Sequence, residues 1–109
     1  MATLVHVFRA LGDPTRQKML ALLEGSGELC VADLASHFAM TQPSVSHHLR
    51  ILKEAGLVTA DKRGKEVYYR INAAELRQCC GTFFANFECC RPLLKITSRK
   101  ARRLRSQPA

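Results

Sequence analysis

The sequence lacks any apolar run that approaches the roughly 18 residues a membrane-spanning helix needs. The stretch Met1–Leu11 is apolar, but it is short and is interrupted by His6 and Arg9, so it does not have the layout of a signal peptide. These absences argue against a membrane protein and predict a cytoplasmic location.

Acidic residues are missing from the end of the chain. Residues 91–109 carry seven Lys and Arg and no acid, a net charge of +7, whereas residues 1–90 carry ten Lys and Arg against nine acids, a net charge of +1; together they give the +8 of the whole chain. The basic pI therefore describes mainly a tail. We expect residues 1–95 to form one domain and residues 96–109 to form a basic, disordered tail.

The five cysteines do not indicate a disulfide framework, because their number is odd and a cytoplasmic compartment keeps thiols reduced. They are expected to be free thiols, metal ligands or redox sensors. A hydrophobic fraction of 47% is enough to build a core.

The stretch Thr41–Val58 predicts a helix with two different faces. Thr41 suits the N-cap, Pro43 fits the first turn, and Gly56 can take the positive φ that ends a helix. A buried stripe follows the helical period at Val45, Leu49 and Leu52.

The opposite face of this helix carries short or planar hydrogen-bonding groups and two cations. Such groups match the donors and acceptors of base edges in the DNA major groove and the phosphates beside them. A solvated amphipathic helix is the alternative. The residues predicted to contact DNA are Thr41, Gln42, Ser44, Ser46, His47, Arg50 and Lys53.

Three shorter helices are predicted before this one, at Thr3–Ala10, from Asp13 to the glycines at 25 and 27, and at Val31–Phe38. The link from the third helix to the next is short, Ala39–Gln42. Two helices joined by such a turn, the second facing outward, indicate a helix-turn-helix.

After Gly56 the apolar period changes from 3.6 to 2. Leu57–Lys62 and Glu66–Ile71 flank a turn that contains Gly64, which predicts a two-stranded hairpin with a cationic tip. An exposed hairpin end is often charged, but directly after a recognition helix we favour a wing that touches DNA. Its predicted contacts are Lys62, Arg63 and Lys65.

A final helix is predicted from about Ala74 to Leu94, with Asn72 as N-cap; Gly81 and Asn86 are expected to weaken it locally, and Pro92 to kink or end it. Its apolar residues recur in steps of 4 and 3, which is the spacing of a helix that pairs with another helix. We therefore expect a homodimer interface along an apolar seam formed by Leu76, Cys80, Phe83, Phe87, Cys90 and Leu94.

Taken in order, these elements give an α+β fold, mainly helical with one β-hairpin. The chain resembles the ArsR/SmtB family of bacterial metal-sensing repressors in the stretches LGDPTRQKMLALL, GELCVADLA, MTQPSVSHHLRILKEAGLV and RGKEVYYRI. The resemblance covers about residues 10–71. It implies a winged helix-turn-helix with four helices, a hairpin and a fifth helix. It also implies a homodimer through the first and fifth helices, which adds Leu4 and Phe8 to the interface, and release of double-stranded operator DNA, an inverted repeat, when an inducer binds.

The metal sites of the family are only partly matched. Members that sense arsenic, lead or cadmium carry ELCVCDL at the third helix; here Cys30 matches the first cysteine and Ala32 replaces the second. The zinc site of the fifth helix falls on Ala73, Glu75, Asn86 and Cys89, a set poorly suited to zinc.

Two vicinal cysteine pairs, Cys79–Cys80 and Cys89–Cys90, stand in the predicted last helix. Soft centres such as trivalent arsenic or mercury prefer thiolates, and some arsenic sensors of the family use a vicinal pair near the end of this helix plus a third cysteine, which is absent after Cys90. Core packing is the alternative for each thiol. If the last helices of two copies run antiparallel and cross near Phe84, Cys79–Cys80 of one copy meets Cys89–Cys90 of the other. The resemblance instead places the crossing near Cys80. Both arrangements stay open.

The sequence thus predicts a repressor without an obligatory cofactor, induced by trivalent arsenic or another thiophilic ion. The metal-binding candidates are Cys89, Cys90, Cys79 and Cys80, with Cys30 a weaker one. A redox or reactive-sulfur repressor is the alternative, although the family position in the second helix holds Ala21 in place of a cysteine. An enzyme is not indicated, because no cysteine has a histidine at useful helical spacing.

Overall fold

The computed structural model describes residues 3–93, which fold into five α-helices, three β-strands and a short 3-10 helix. The described residues divide into two compact units, with the boundary between Leu76 and Arg77. The elements in order are α1 (Leu4–Leu11), α2 (Pro14–Ser26), β1 (Leu29–Cys30), α3 (Val31–Ala35), α4 (Gln42–Glu54), β2 (Val58–Arg63), β3 (Glu66–Ile71), α5 (Ala73–Phe84) and the 3-10 helix Glu88–Cys90. Within residues 3–93, no helix has both the length and the apolar character that crossing a membrane requires.

The boundaries of α4 confirm the predicted signals. The Thr41 hydroxyl accepts a hydrogen bond from the backbone N–H of Ser44 at 3.3 Å and so caps the first turn. After the helix, Gly56 takes a φ of 80°, a conformation that costs glycine little. The predicted stripe of Val45, Leu49 and Leu52 is fully buried.

The first two helices also begin where their capping residues predict. Thr3 accepts from the backbone N–H of His6, and Asp13 accepts from that of Arg16 at 3.0 Å, with Pro14 at the first helical position. The hydrogen bond from Arg16, followed by its charge, lowers the pKa of the Asp13 carboxyl despite the opposing effect of burial. The predicted helix starts are therefore accurate to about one residue.

Arg16, in α2, connects α1 and α2 to α4 through contacts of its guanidinium. Its Nε donates to the carbonyl of Ala10 at 2.7 Å and its Nη2 to the carbonyl of Arg9 at 3.1 Å. Its Nη1 lies 3.2 Å from Nδ1 of His48. Because a guanidinium cannot accept, His48 Nδ1 is the acceptor and the ring carries its proton on Nε2.

The predicted two-stranded hairpin is confirmed, but the sheet contains a third strand that was not predicted. The sheet has three strands in the order β1–β3–β2, all antiparallel. The added strand β1 pairs Leu29 with Tyr69 and Cys30 with Tyr68. A strand of two residues shows no apolar alternation, so the period-2 pattern could not reveal it.

The link between α3 and α4 is longer than expected, because α3 ends at Ala35 and not at Phe38. The Ser36 hydroxyl donates to the backbone carbonyl of Asp33 at 2.6 Å, a local bond that competes with helix continuation. The chain then continues through turns in which His37 and Phe38 donate three residues back. The helix-turn-helix remains, with Leu34 of α3 fully buried.

The long last helix was predicted wrongly, since α5 ends at Phe84. The N–H of Ala85 still donates four residues back, to Gly81, but those of Asn86 and Phe87 donate only three residues back. Asparagine favours such a turn through its side chain. Further on, Pro92 has no N–H and its ring would collide with the carbonyl four residues earlier in a continuous helix. The apolar seam is therefore interrupted between Phe83 and Phe87.

Candidate functional site

The outer face of α4 presents the side chains predicted to contact DNA. Six of these seven are exposed, and Ser46 is half-buried. Thr41 is exposed, but its hydroxyl already makes hydrogen bonds within the helix. It accepts from the Ser44 backbone N–H and lies 3.2 Å from the Ser44 Oγ. The other exposed hydrogen-bonding groups and cations on this face are those of Gln42, Ser44, His47, Arg50 and Lys53, of which the Ser44 hydroxyl accepts from Thr41.

The two adjacent histidines of α4 have different surroundings. His47 is exposed on the outer face, whereas His48 is half-buried and accepts from Arg16. Their rings lie 6.0 Å apart between centroids, tilted by 58°. Successive helical residues point about 100° apart, so one imidazole faces outward and the other faces the α1–α2 side. Of the two, His47 is the one whose ring is exposed on the outer face of α4.

The wing is formed by the hairpin β2–β3, whose turn contains Gly64 at a φ of 63°. Lys62, Arg63 and Lys65 are all exposed there. Within residues 3–93, no ion pair joins Lys62 or Lys65 to an acid. These two lysines therefore present unpaired charge near the hairpin tip.

Arg63 differs from the two lysines because its guanidinium is already bound. It donates to both carboxylate oxygens of Glu28, at 2.9 and 2.6 Å, and its Nε donates to Asp61 at 2.8 Å. The guanidinium carbon also lies 4.8 Å from the centre of the Tyr68 ring. The hydrogen bonds from Arg63 are the main cause that holds the pKa of the Glu28 carboxyl below its ordinary value.

Sequence reasoning missed Glu28 altogether. It precedes β1 and lies 35 residues from Arg63 along the chain. Pairing patterns along one helix or one hairpin cannot reveal such a contact. The strand β1 brings Glu28 beside the hairpin, but with only two residues it leaves no pattern in the sequence that could have revealed this contact.

The Cys89–Cys90 pair lies in the 3-10 helix, with Cys89 exposed, Cys90 half-buried and the two sulfurs 4.0 Å apart. Burial, followed by the neighbouring Cys89 thiol, raises the pKa of the Cys90 thiol. Both thiols are therefore close enough to act together, and Cys90 is protonated at neutral pH.

The remaining cysteines are less accessible. Cys79 is buried, although the apolar spacing placed Cys80 on the seam and Cys79 beside it. Cys80 is half-buried, and burial raises the pKa of its thiol. Cys30 is buried at the start of α3. The backbone N–H of Asp33 lowers the pKa of its thiol, but burial and the Asp33 side chain outweigh this and raise it.

Across residues 3–93, the structure brings together no group of three or more His, Cys, Asp or Glu that could hold a metal ion.

The predicted dimer residues are incompletely covered in the single chain. Leu4, Phe8, Leu76, Cys80 and Phe83 are half-buried, and Phe87 is 43% exposed. Phe83 and Phe87 still contact each other, with ring centroids 5.1 Å apart. Leu94, together with the tail at 96–109, lies outside the described residues.

Comparison with known proteins identifies the family. The sequence profile described as "Bacterial regulatory protein, arsR family" matches residues 13–60. The chain is 44% identical over 72 residues to the transcriptional repressor SdpR of Bacillus subtilis, covering 66% of this chain and 79% of SdpR. It is 43% identical over 68 residues to the arsenical resistance operon repressor of Escherichia coli K12, covering 62% of this chain but only 58% of that repressor.

A solved structure supports the same assignment. The homodimeric winged helix-turn-helix DNA-binding domain of a possible ArsR-family transcriptional regulator from Mycobacterium bovis superposes with a TM-score of 0.62 at 31% identity. The match covers 75% of this chain and 76% of that one. The predicted winged helix-turn-helix is thereby confirmed. The chain belongs to the arsR family of bacterial regulatory proteins and is a DNA-binding transcriptional repressor, not an enzyme.

Proposed function

We propose that two copies of this chain bind an inverted-repeat operator and release it when a thiophilic inducer binds Cys89 and Cys90. Trivalent arsenic is the inducer that we favour. Each copy places α4 in the major groove and the wing against the neighbouring backbone.

The DNA part of the proposal is supported by the exposed face of α4. Arg50 and His47 are placed to read base edges, while Lys53, Lys62 and Lys65 supply charge for phosphates. Gln42 and Ser44 add hydrogen-bonding groups at the start of the helix. The homodimeric relative from Mycobacterium bovis supports a symmetric complex, in which two reading helices match two half-sites.

The inducer part rests on one observation, the 4.0 Å separation of the Cys89 and Cys90 sulfurs at the surface. Two thiolates bonded to one tetrahedral ion at about 2.3 Å each lie about 3.8 Å apart. A small side-chain rotation therefore lets both sulfurs bind one soft ion. The arsenical resistance function named for the Escherichia coli relative favours arsenic among such ions.

A third sulfur for trivalent arsenic has to come from elsewhere than this pair. A second copy of the chain supplies thiols in the proposed dimer, and a small external thiol is the other source. Mercury needs only two thiolates and so tests the pair on its own.

Oxidation is the second candidate, favoured by the same adjacency of two accessible thiols. In that case an oxidant such as peroxide converts the two thiols to a disulfide, with loss of two protons and two electrons. The proposed repressor would then sense redox state and not an ion.

The test is release of DNA by the full chain, using a duplex that the wild-type protein selects from a random pool. Arsenite, mercuric ion, zinc and peroxide are titrated side by side. We expect arsenite to release the DNA at the lowest concentration. The double variant Cys89→Ser/Cys90→Ser should bind the duplex normally and no longer respond.

The matched control is Cys79→Ala/Cys80→Ala, which removes the other vicinal pair. It should keep the arsenite response if Cys89 and Cys90 form the sensor. A Cys89→Ser/Cys90→Ser protein that still releases DNA with arsenite would remove this pair from the proposal. Release by peroxide but not by arsenite would favour the redox alternative.

A further inference from the structure

Arg63 spans the width of the small sheet on one face. It starts at the end of β2, passes over the ring of Tyr68 in the central strand β3, and reaches Glu28 just before β1. The strand pairing places these residues on the same face, because partners in the ladder point the same way. The side chain therefore connects the first and last strands of the sheet across the middle one.

The contacts of Arg63 leave its guanidinium poorly placed for a phosphate. Three of its N–H groups donate to Glu28 and Asp61, and one flat face covers Tyr68. The bidentate fork on Glu28 is the geometry in which arginine binds a carboxylate most strongly. Two of its five N–H groups are left, but a phosphate that approached them would be repelled by the two carboxylates of Glu28 and Asp61 that already flank the guanidinium.

Glu28 is bound as firmly as Arg63, its partner in the ion pair. Its side chain is 26% exposed, compared with 48% for Arg63, and Nη2 of Arg70 lies 3.8 Å away. The hydrogen bonds and charge of Arg63 lower the pKa of Glu28, so its carboxylate stays charged to a lower pH than an ordinary glutamate. Two arginines from two strands thus converge on one acid from the segment between α2 and β1.

We propose that Glu28 and Arg63 form a brace that fixes the wing against the helix-turn-helix, so that Arg63 is a positioning residue and not a phosphate contact. Lys62 and Lys65 carry the charge that meets the DNA. The brace sets where these lysines lie relative to α4, because β1 leads directly into α3, the helix before the turn.

This inference rests on the proposed role of the wing in DNA binding, and salt dependence separates the two kinds of residue. A cation that neutralises a phosphate releases a counterion, so its loss lowers the slope of log affinity against log salt by about 0.9. A positioning residue changes the affinity and leaves the slope unchanged. The experiment measures both quantities on the selected duplex for Arg63→Ala, Glu28→Gln and Lys65→Ala.

We expect Lys65→Ala to lower the slope by about 1.8, since the dimer loses one phosphate contact from each of its two copies. Arg63→Ala and Glu28→Gln should each weaken binding by about fivefold at an unchanged slope, and the double variant should be no weaker than Arg63→Ala alone, because the two residues act as one unit. Arg63→Lys should behave like Arg63→Ala, since lysine keeps the charge but cannot form the fork.

Amide hydrogen exchange of residues 62–66 in the DNA-free protein tests the brace independently of the DNA. Glu28→Gln should speed this exchange, and Lys65→Ala should not. Unchanged exchange in Glu28→Gln would overturn the brace. A salt slope lowered by Arg63→Ala, or tighter binding by Glu28→Gln, would make Arg63 a phosphate contact. If Lys65→Ala leaves affinity and slope intact while Glu28→Gln speeds exchange, the wing's DNA role fails and the brace stands.

Discussion

Residues 31–58 and residues 77–93 are both rich in apolar side chains, yet only the first stretch buries them in the single chain. Leu34, Leu49 and Leu57 are fully buried in the first stretch. Cys79 is the one buried residue of the second, in which Phe87 and Leu93 are 43% and 46% exposed. The stretch that contains the helix-turn-helix is thus supported by the fold of one copy. Residues 77–93, which carry the candidate sensor cysteines, leave apolar side chains exposed, as expected of a segment that binds a further partner.

The largest expected effect is on stability. Leu49→Ala should lower the free energy of unfolding by about 2–5 kcal/mol, because Leu49 is fully buried and its truncation leaves a cavity in the core. Phe87→Ala should cost less than about 1 kcal/mol, since much of the ring is exposed already. Urea unfolding at one fixed protein concentration measures both. Equal losses would show that the second stretch is as tightly packed as the first.

The next effect is on DNA affinity. Arg50→Ala should weaken binding to the selected duplex by about 1–3 kcal/mol, because it removes a bidentate donor from the reading face. Arg77→Ala removes an exposed cation of the second stretch and should change affinity by less than about 0.5 kcal/mol. Sedimentation should show unchanged dimerisation for both. The assignment of α4 as the reading helix would fail if Arg50→Ala bound normally.

A smaller effect concerns the helix caps. Thr41→Ala should cost about 1 kcal/mol of stability, because it removes the acceptor for the Ser44 backbone N–H. Thr82→Ala makes the same chemical change in the middle of α5, where the residue is exposed, and should stay within about 0.5 kcal/mol. Thermal unfolding compares the two. A larger loss of stability in Thr82→Ala than in Thr41→Ala would contradict the role of Thr41 as a stabilising helix cap.

The smallest effect is the pH dependence of Glu28. Its pKa is lowered in the folded chain, so the carboxylate stabilises the fold fully above its ordinary pKa of 4.5 and loses that contribution as pH falls through the lowered value. Stability measured from about pH 5 downward should therefore fall less steeply in Glu28→Gln than in the wild type. Glu88→Gln, in the second stretch, is the matched control. Equal acid sensitivity of wild type and Glu28→Gln would contradict the ion pair in solution.

The same contrast explains how much the sequence could predict. The limits of α4 follow from local chemistry, the hydroxyl of Thr41 and the flexible backbone of Gly56, and both predictions are confirmed. The end of α5 was missed because the apolar steps of 4 and 3 continue past Phe84, while the backbone does not. The preferences of Asn86 and Pro92 outweighed that period once the apolar residues lacked burial.

The sequence also did not predict contacts between residues that are far apart along the chain. Glu28 and Arg63 are 35 residues apart, and Arg16 and His48 are 32 apart. Neither pair follows a helical or strand period, so only the folded arrangement reveals them. The exposed face of α4 follows from the helical period and was predictable, whereas the distant contacts that hold the helix and the hairpin in place were not.

Arg16 has a consequence for which sequences this fold can tolerate. It satisfies two backbone carbonyls at the end of α1 and one ring nitrogen of α4 through three separate nitrogens. A lysine would keep the charge but has one nitrogen, so it could not serve all three acceptors in their fixed directions. Position 16 therefore admits far less variation than its surface charge suggests, and changes at His48 are constrained with it.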